Sequence, residues 1–429
     1  MKLRYLFDAV NIRMKNYLVI QLARFGDLIQ TKRLLATLSA RCDGEVHLCV
    51  DTSLKPLAQL VYPDVVVHSI TAHGTGLDAS TALLKMLVEN RQAFAELQAI
   101  DFDTVYNLNF SGLNFRLAAL FDPEKVEGYS WHNGQEITGT WPAMAMRWSN
   151  LRRLGMNLVD FWAGYCPDMI APNMVNPPAT PKGGGIGVVL AGRESRRSLP
   201  AQLLATISTT LGAAQKANSI VLLGGKSEYA AGQAVLKELP PALQGKAKNL
   251  AGKTNWDDLV NIVGSLDMLL TPDTGTMHLA AHLGTPVTAF FLSSAWCFET
   301  GPYGIGHTVY QAVTDCLPCL ETKPCDYGVK CLAPFTSPKF QRFLVTRKSE
   351  HAPEGLIGFD SVFDDLGQIY TPFAGVDKDH GQRTVFRNFI HQYLSGSGEE
   401  CFENEHVFAQ EFYREKDWMT KVQPLETHG

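Results

Sequence analysis

A polar turn that leads into a helix is the part of this chain best suited to chemistry. Residues 266–270, which are apolar except for Asp267, predict a buried strand, and residues 271–275 then break that strand in a tight turn. The first N–H groups of the helix that follows have no partners inside the helix, and they carry the positive end of its dipole. Residues 274–276 therefore form a candidate cradle for an anion such as a phosphate group.

The same turn also fits an ordinary connection between a strand and a helix. In that case Asp273 or Thr274 caps the helix, and His278 is a polar side chain with bonds inside the protein. Helix starts of this kind are common in α/β proteins. The turn alone leaves both interpretations open, so the surrounding sequence has to distinguish them.

Strands and helices alternate on both sides of the turn. Buried strands are predicted at residues 187–192, 219–225 and 287–292, with helical periodicity between them. This alternation is typical of a parallel, doubly wound sheet, which binds ligands at the carboxyl ends of its strands.

The loops that leave these strands carry groups expected at an anion site. The loop of residues 193–200 is strongly basic and contains Arg193 and Arg197. The next strand ends at Gly224, and Glu228 follows shortly after it. Because the carboxyl ends of parallel strands meet at one edge of a sheet, we expect four loops to converge on one crevice. The alternative for the arginines is a solvated basic loop.

The N-terminal half repeats the pattern and predicts a second α/β unit. Residues 17–22 predict a buried strand, residues 23–27 a sharp turn, and residues 28–41 a helix. Asp27 stands at the start of this helix, where the common role of an aspartate is that of an N-terminal cap. Further strands are predicted at residues 45–50, 65–70 and 104–108.

Composition limits the class of protein. A chain of 429 residues that is 45% hydrophobic and 19% charged is long enough for two cores. The formal net charge of −5 gives no reason to expect a nucleic-acid partner. No run approaches the roughly 18 apolar residues of a membrane span, and residues 1–14 lack the apolar core of a signal peptide. We therefore expect a cytoplasmic protein.

The motifs, taken together, resemble those of glycosyltransferase family 9, the lipopolysaccharide heptosyltransferases. The hallmarks of that family are a Gly-Asp turn after the first strand, here Gly26-Asp27, and the segment from Asp273 to Pro286. Between them lie three further matches: the basic loop that ends Arg197-Ser198-Leu199-Pro200, the strand end Gly224-Gly225 with Glu228, and the segment Asn249 to Gly252. The resemblance covers about residues 16–332 and follows the order of the family's motifs.

The resemblance implies an α/β protein with the GT-B fold, in which two doubly wound Rossmann-like domains face each other across a cleft. We expect an acceptor-binding domain at residues 1–170 and a nucleotide-sugar-binding domain at residues 171–333. Residues 334–429 would form a C-terminal extension, part of which packs back on the first domain. Within it we predict helices at residues 384–394 and 406–420 and a hairpin-like fragment at residues 340–345.

The resemblance also implies roles for individual residues. Asp27 corresponds to the general base, which takes the proton of the acceptor hydroxyl. Arg197 corresponds to the basic residue that offsets the charge of the diphosphate. Arg24 and Ser111 are expected on the acceptor side. The residues expected to bind the donor are Arg193, Arg197, Gly224, Glu228, Asp273, Thr274, Gly275, Thr276 and His278.

The activity implied by the resemblance is inverting transfer of heptose from ADP-L-glycero-D-manno-heptose to a hydroxyl of the lipopolysaccharide inner core, with no cofactor required for catalysis. The partners would be an ADP-sugar and a lipid-linked oligosaccharide, reached by peripheral contact with the inner membrane. The basic loop departs from the family at residues 191–193. Another nucleotide sugar, a protein acceptor, or a non-catalytic nucleotide-sugar binder therefore remain alternatives.

Four of the nine cysteines lie in one short stretch that contains prolines: Cys316, Cys319, Cys325 and Cys331. Four thiolates at this spacing could hold a structural Zn²⁺ or iron ion in tetrahedral geometry. Reduced thiols that only pack are the main alternative, and disulfides are disfavoured in a reducing cytoplasm. We expect no catalytic role for these thiols.

Overall fold

A computed structural model describes residues 15–41, 44–72, 79–143, 153, 155–191, 195–320 and 323–394 of the chain. These residues form two α/β units, each built on one sheet, with buried apolar side chains on the faces of both sheets. The predicted α/β class with two doubly wound units is confirmed. No helix within these ranges is long and apolar enough to cross a membrane.

The first unit contains a sheet of six strands. They are β1 (Tyr17–Gln21), β2 (Val46–Asp51), β3 (Val66–Ile70), β4 (Thr104–Asn107), β5 (Val126–His132) and β6 (Gln135–Thr138). Their order in the sheet is β3-β2-β1-β4-β5-β6. Among the described strands of this sheet, only β5 and β6 pair in antiparallel orientation. The first strand therefore lies near the middle of the sheet, and the turn that follows it opens at the carboxyl edge, where such sheets bind ligands.

The helices of this unit connect its strands. They are α1 (Phe25–Gln30), α2 (Lys32–Arg41), α3 (Lys55–Val61), α4 (Ala79–Glu89), α5 (Arg91–Gln98), α6 (Gly112–Ala118) and α7 (Leu158–Ala163). The prediction of a single helix at residues 28–41 is wrong, because the helical segment starts at Phe25 and is interrupted at Thr31. The Thr31 hydroxyl donates to the carbonyl of Asp27 at 2.8 Å and accepts from the Gln21 side chain at 3.2 Å. These buried bonds accompany the break.

The second unit contains a sheet of eight strands. They are β7 (Ile186–Val189), β8 (Ile220–Leu223), β9 (Ala247–Asn249), β10 (Met268–Thr271), β11 (Val287–Phe291), β12 (Thr308–Ala312), β13 (Leu356–Phe363) and β14 (Gln368–Ala374). Their order is β14-β13-β12-β11-β10-β7-β8-β9, and the strands from β7 to β12 are parallel. Strands β13 and β14 come from the predicted extension and add an antiparallel hairpin to this sheet.

The remaining helices surround the second sheet and return toward the first. They are α8 (Ala201–Gln215), α9 (Tyr229–Glu238), α10 (Pro241–Gln244), α11 (Trp256–Ser265), α12 (Gly275–His282), α13 (Cys297–Thr300), α14 (Ala333–Thr336), α15 (Pro338–Thr346) and α16 (His380–Leu394). Helix α15 replaces the hairpin-like fragment predicted at residues 340–345, because Phe340, Phe343 and Leu344 are buried at helical spacing. The helix predicted at residues 406–420 lies outside the described residues.

Helix α16 connects the extension with both units. Tyr393 stacks on Trp141 of the first unit, with ring centroids 5.9 Å apart. Arg387 donates to the carboxylate of Asp364, the first residue after β13. Burial alone would raise the pKa of Asp364, but the pairing with Arg387 lowers it below its ordinary value. The extension is therefore attached to the first unit by an aromatic contact and to the second sheet by an ion pair.

One buried carboxylate joins three parts of the chain. Asp160 on α7 is fully buried and accepts from Arg33 of α2 at 2.6 Å. It also accepts from the Tyr303 hydroxyl and from the backbone N–H of Gln368, each at 2.7 Å. The Arg33 guanidinium donates in addition to the carbonyls of Ile170 and Leu366. The first unit, the second unit and the β13–β14 turn thus share one hydrogen-bonded charge pair.

We expect Asp160→Ala to destabilise the protein by about 3–5 kcal/mol, because it leaves the buried Arg33 charge without its carboxylate. The matched control is Asp168→Ala, which removes an exposed partner of Arg41 on the same helix α2. That change should cost no more than about 1 kcal/mol. Chemical denaturation measures both, and equal small losses would show that the buried pair does not hold the units together.

Candidate functional site

The starts of α1 and α12 touch each other across the two units. A Cβ atom built at Gly26 would lie 3.1 Å from Cδ2 of His278, and one built at Gly275 would overlap the ring of Phe25. Only a residue without a side chain fits at Gly275 without moving its neighbour. The turn that carries Asp27 and the predicted anion cradle are therefore adjacent, although they are far apart in the sequence.

The cradle itself has the geometry of a capped helix start. Thr274 is extended and its hydroxyl accepts from the N–H of Met277 at 3.3 Å, so it is the N-terminal cap of α12. Its hydroxyl also lies 3.0 Å from that of Thr271. Helix α12 has eight residues, and Gly275 and Thr276 are its first two. Their N–H groups precede the first bonds inside the helix and can bind an anion.

A buried ion pair places a guanidinium beside this helix start. Nη2 of Arg197 donates to the carboxylate of Asp273 at 2.5 Å and to its backbone carbonyl at 3.0 Å. The same carboxylate accepts from the Thr300 hydroxyl at 3.0 Å. The structure thus brings together two residues predicted for the donor site and gives Asp273 a clear role in orienting Arg197. Thr300 was not predicted, because nothing in the sequence marks it as a neighbour of the cradle.

His278 is held in a neutral state. Burial lowers its pKa to about 3, and the nearby Arg197 charge contributes to that shift. Its Nε2 atom lies 2.7 Å from Nε2 of Gln30 and 3.7 Å from the carboxylate of Asp273. Gln30 lies three residues after Asp27 on α1 and is itself buried. Gln30 was not predicted as a site residue, although a polar residue within an apolar helix face is a usable signal.

Asp27 caps the start of α1 and also lies in the turn that adjoins the cradle. Its Oδ2 accepts from the N–H of Arg24 at 3.1 Å, so the carboxylate caps the start of α1. Asp27 and Arg24 are both half-buried. Ser111, the other residue predicted on the acceptor side, is buried and caps α6, where its hydroxyl bonds to Asn114. Asp27 and Arg24 thus lie at the start of α1, the helix that contacts α12, whereas Ser111 lies at the start of α6.

The turn after β8 contains the predicted residues Gly224 and Glu228. The Glu228 carboxylate accepts from the N–H of Gly225 and from the Ser227 hydroxyl, each at 2.6 Å. Gly252, with φ at +69°, passes so close to Lys226 that a Cβ atom there would contact its backbone. Glu228 therefore braces a tight turn at the carboxyl edge of the second sheet. Arg193, also predicted for the donor site, lies outside the described residues.

An aromatic pair lies beside the cradle and also crosses between the units. Phe25 and Trp256 meet edge to face with centroids 5.1 Å apart. Trp256 starts α11, and its ring nitrogen donates to the carbonyl of Ser53 at 3.3 Å. Sequence periodicity assigns Trp256 to a helix but gives no hint of this contact, because its partners are distant along the chain.

The arrangement of the four cysteines differs from that of the predicted metal site. Cys316, Cys319 and Cys325 are half-buried, Cys331 is buried, and all four are reduced. Within the described ranges, no three His, Cys, Asp or Glu side chains converge in a way that would hold a metal ion. The Sγ atom of Cys325 instead accepts from the N–H of Val329 at 3.3 Å. The metal hypothesis therefore has no geometric support here and stays a prediction.

Metal analysis of the purified protein tests that hypothesis. A structural site predicts about one Zn or Fe per chain, retained on dialysis and lost in Cys319→Ser. Absence of bound metal, with thiols that react with a thiol reagent in the folded protein, would contradict it and favour packing thiols.

We expect stability to fall as the pH is lowered below neutrality, with His278 as one cause. The ordinary pKa of histidine is 6.5, and the folded protein lowers that of His278 to about 3. Between these values the unfolded chain binds a proton that the folded protein does not, so acid favours unfolding by up to about 1.4 kcal/mol per pH unit for this residue. Chemical denaturation at pH 7 and pH 5 measures the dependence.

His278→Gln should reduce this pH dependence without abolishing it, because burial also lowers the pKa of His282 to about 3 and of His307 to about 4. The control is His391→Gln on an exposed position of α16, which should keep the original dependence. An unchanged slope in His278→Gln would contradict the neutral assignment.

Comparisons with known proteins agree with these motifs. Residues 208–328 match the family described as glycosyltransferase family 9 (heptosyltransferase). Lipopolysaccharide heptosyltransferase 2 of Escherichia coli (strain K12) is 35% identical over 72 residues, which is 17% of this chain and 21% of that protein. Lipooligosaccharide heptosyltransferase 2 of Haemophilus influenzae is 32% identical over 73 residues, with the same two coverages. The chain thus spans about a fifth of the length of these curated relatives.

Solved structures support the fold over a longer region. The E. coli ADP-heptose lps heptosyltransferase II has a TM-score of 0.51 at 18% identity, over 68% of this chain and 89% of that one. A glycosyl transferase family 9 protein from Veillonella parvula has a TM-score of 0.53 at 18% identity, over 69% and 86%. Both are GT-B folds, as predicted for this chain. The resemblance to glycosyltransferase family 9 (heptosyltransferase) is therefore confirmed, with the matching sequence in residues 208–328.

Proposed function

We propose that this protein is an inverting glycosyltransferase that moves heptose from ADP-L-glycero-D-manno-heptose to a hydroxyl of the lipopolysaccharide inner core. The observation that carries the proposal is the contact between the Asp27 turn and the helix start at residues 274–276. Asp27 belongs to the first unit and the anion cradle to the second, and the helices that start at these two places contact each other. The names of the sequence relatives, lipopolysaccharide and lipooligosaccharide heptosyltransferases, support this choice of donor and acceptor class.

The donor would bind with its diphosphate at the start of α12. The free N–H groups at Gly275 and Thr276 and the Arg197 guanidinium supply positive charge to the phosphate oxygens. Asp273 fixes the guanidinium through the 2.5 Å bond, so little conformational freedom remains to be lost when the donor binds. Neutral His278 can still donate one ring N–H. Glu228 and Gly224 would lie toward the nucleoside.

The acceptor would approach from the first unit. Asp27 takes the proton of the acceptor hydroxyl as its oxygen forms a bond to the anomeric carbon. The bond from that carbon to the diphosphate breaks on the opposite face, which inverts the configuration, and ADP leaves with both electrons of the bond. Arg197 and the dipole of α12 stabilise the charge that develops on the diphosphate. Every proton, bond and electron pair in this proposed transfer is accounted for without a cofactor.

The acceptor chemistry sets where the protein would work. Lipid-linked core oligosaccharide is presented at the membrane surface, so the proposal places the enzyme in the cytoplasm with peripheral contact to the inner membrane. Arg24, half-buried at the start of α1, is the basic residue nearest to Asp27 in sequence and would lie on the acceptor side.

Calorimetric titration with ADP, UDP and GDP, and then with the ADP-heptose, tests the proposed donor. We expect preferential binding of ADP and tighter binding of the sugar nucleotide. Preference for another nucleotide would point to a different donor on the same fold. Binding of ADP-heptose without transfer to a lipid-linked acceptor would favour a nucleotide-sugar binder instead.

Asp27→Asn should lower the rate of transfer by about 100-fold or more while the dissociation constant for ADP stays nearly unchanged, because the amide keeps the shape of the cap but cannot take a proton. The control is Asp122→Asn, an exposed aspartate that also caps a helical turn, which should keep full activity. Loss of ADP affinity in step with loss of rate would contradict the role of a base.

Arg197→Ala should weaken ADP binding by about 10- to 100-fold, because a charge-assisted bond to the diphosphate is lost. Arg342→Ala removes an exposed arginine from α15 and serves as the charge-matched control. Calorimetry measures both dissociation constants. An unchanged constant in Arg197→Ala would remove that residue from the donor site.

A further inference from the structure

The cysteine stretch lies against the end of β11 in the second sheet. We call the described residues 313–320 and 323–331 the cysteine loop. Its Cys319 N–H donates to the carbonyl of Ser293, just beyond the end of β11, at 3.0 Å. The loop is therefore attached at Cys319 to the carboxyl edge of the sheet, where the proposed donor site lies.

The same loop is attached to the basic loop through one arginine. Nη1 of Arg196 donates to the carbonyl of Lys323 at 2.6 Å, and Nη2 donates to the carbonyl of Leu320 at 2.8 Å. The next residue, Arg197, sends its guanidinium to Asp273 beside the anion cradle. Both arginines belong to one helical turn, Ser195–Arg197. Adjacent residues of this turn thus hold the cysteine loop and the cradle.

We propose that the cysteine loop is a brace for the donor site and that Arg196 is the positioning residue through which it acts. This inference rests on the proposed function for its effect on ADP binding. Arg196 lies in the basic loop of residues 193–200, but its fork is occupied by two backbone carbonyls. It fixes the turn from which Arg197 reaches Asp273, and the backbone bond from Cys319 to Ser293 holds the loop segment that supplies the Leu320 carbonyl.

The geometry of the fork makes this role specific to arginine. Two carbonyls on different residues are bonded at the same time by the two ends of one planar guanidinium. A lysine has the same charge, but its three N–H donors leave one nitrogen, so it does not reproduce the planar fork whose two ends bond the two carbonyls. Loosening of the turn would misplace Arg197 relative to the diphosphate, and small misplacements at such a site weaken binding.

Calorimetry with ADP on Arg196→Lys and Arg196→Gln distinguishes the brace from direct phosphate binding. The brace predicts that both variants weaken ADP binding by a similar factor, about 3- to 10-fold, because both lose the bidentate bond. Direct binding of the diphosphate predicts that the charged lysine variant stays near the original affinity and the glutamine variant does not. Near-original affinity in Arg196→Lys would overturn the proposal.

A double-mutant cycle with Arg197→Ala tests whether Arg196 acts through its neighbour. If it does, Arg196→Lys has little further effect on ADP affinity once Arg197 is absent. Effects that multiply independently would mean that Arg196 contacts the ligand itself and would contradict a positioning role. Arg342→Lys on α15 is the control and should change neither the single nor the combined affinity.

Hydrogen exchange on the full chain tests the brace without any ligand. Arg196→Lys should reduce protection of backbone amides in residues 195–199 and in residues 317–320 together, because each loop loses its contact with the other. Unchanged protection in both segments would refute the brace even if ADP binds. Failure of the original protein to bind ADP would refute the donor assignment and leave this exchange result to judge the brace alone.

Discussion

The structure depends on the close approach of the starts of α1 and α12. Both helix starts use glycine at the contact, and Gln30 bonds to His278 across it. Burial at this contact lowers the pKa of His278 to about 3, so the Arg197 guanidinium has a neutral imidazole rather than a second charge from His278 near it. The polar groups proposed for catalysis and for donor binding are brought together by this packing rather than by sequence proximity.

Two buried charge pairs, one within the site and one away from it, hold together the parts of the chain around this contact. Asp273 orients Arg197 within the site, and Asp160 pairs with Arg33 where the two units and the β13–β14 turn meet. Each of these carboxylates accepts at least one further hydrogen bond, which offsets part of the cost of burying the charge. Breaking one partner would be costly, so these pairs fix the relative position of the parts that they join.

Local patterns in the sequence predict the strands, the alternation with helices and the capped turn at residues 271–275, because each depends on neighbours along the chain. They mark Gln30 only as a polar residue on an apolar helix face and do not mark Thr300, and they identify neither partner, since these bond to residues 248 and 27 positions away. The helix break at Thr31 depends on a buried bond from Gln21, and α15 depends on burial of an apolar face that the short pattern left ambiguous. Cysteine spacing alone likewise does not determine whether thiols converge on a metal.

The most direct test of the central claim is a crystal structure of this protein with ADP bound. We expect the diphosphate oxygens within hydrogen-bonding distance of Arg197 and of the N–H groups at the start of α12, on the side that faces Asp27. A nucleotide bound away from this helix start, or a diphosphate held by residues of the first unit alone, would contradict a shared site between the two units.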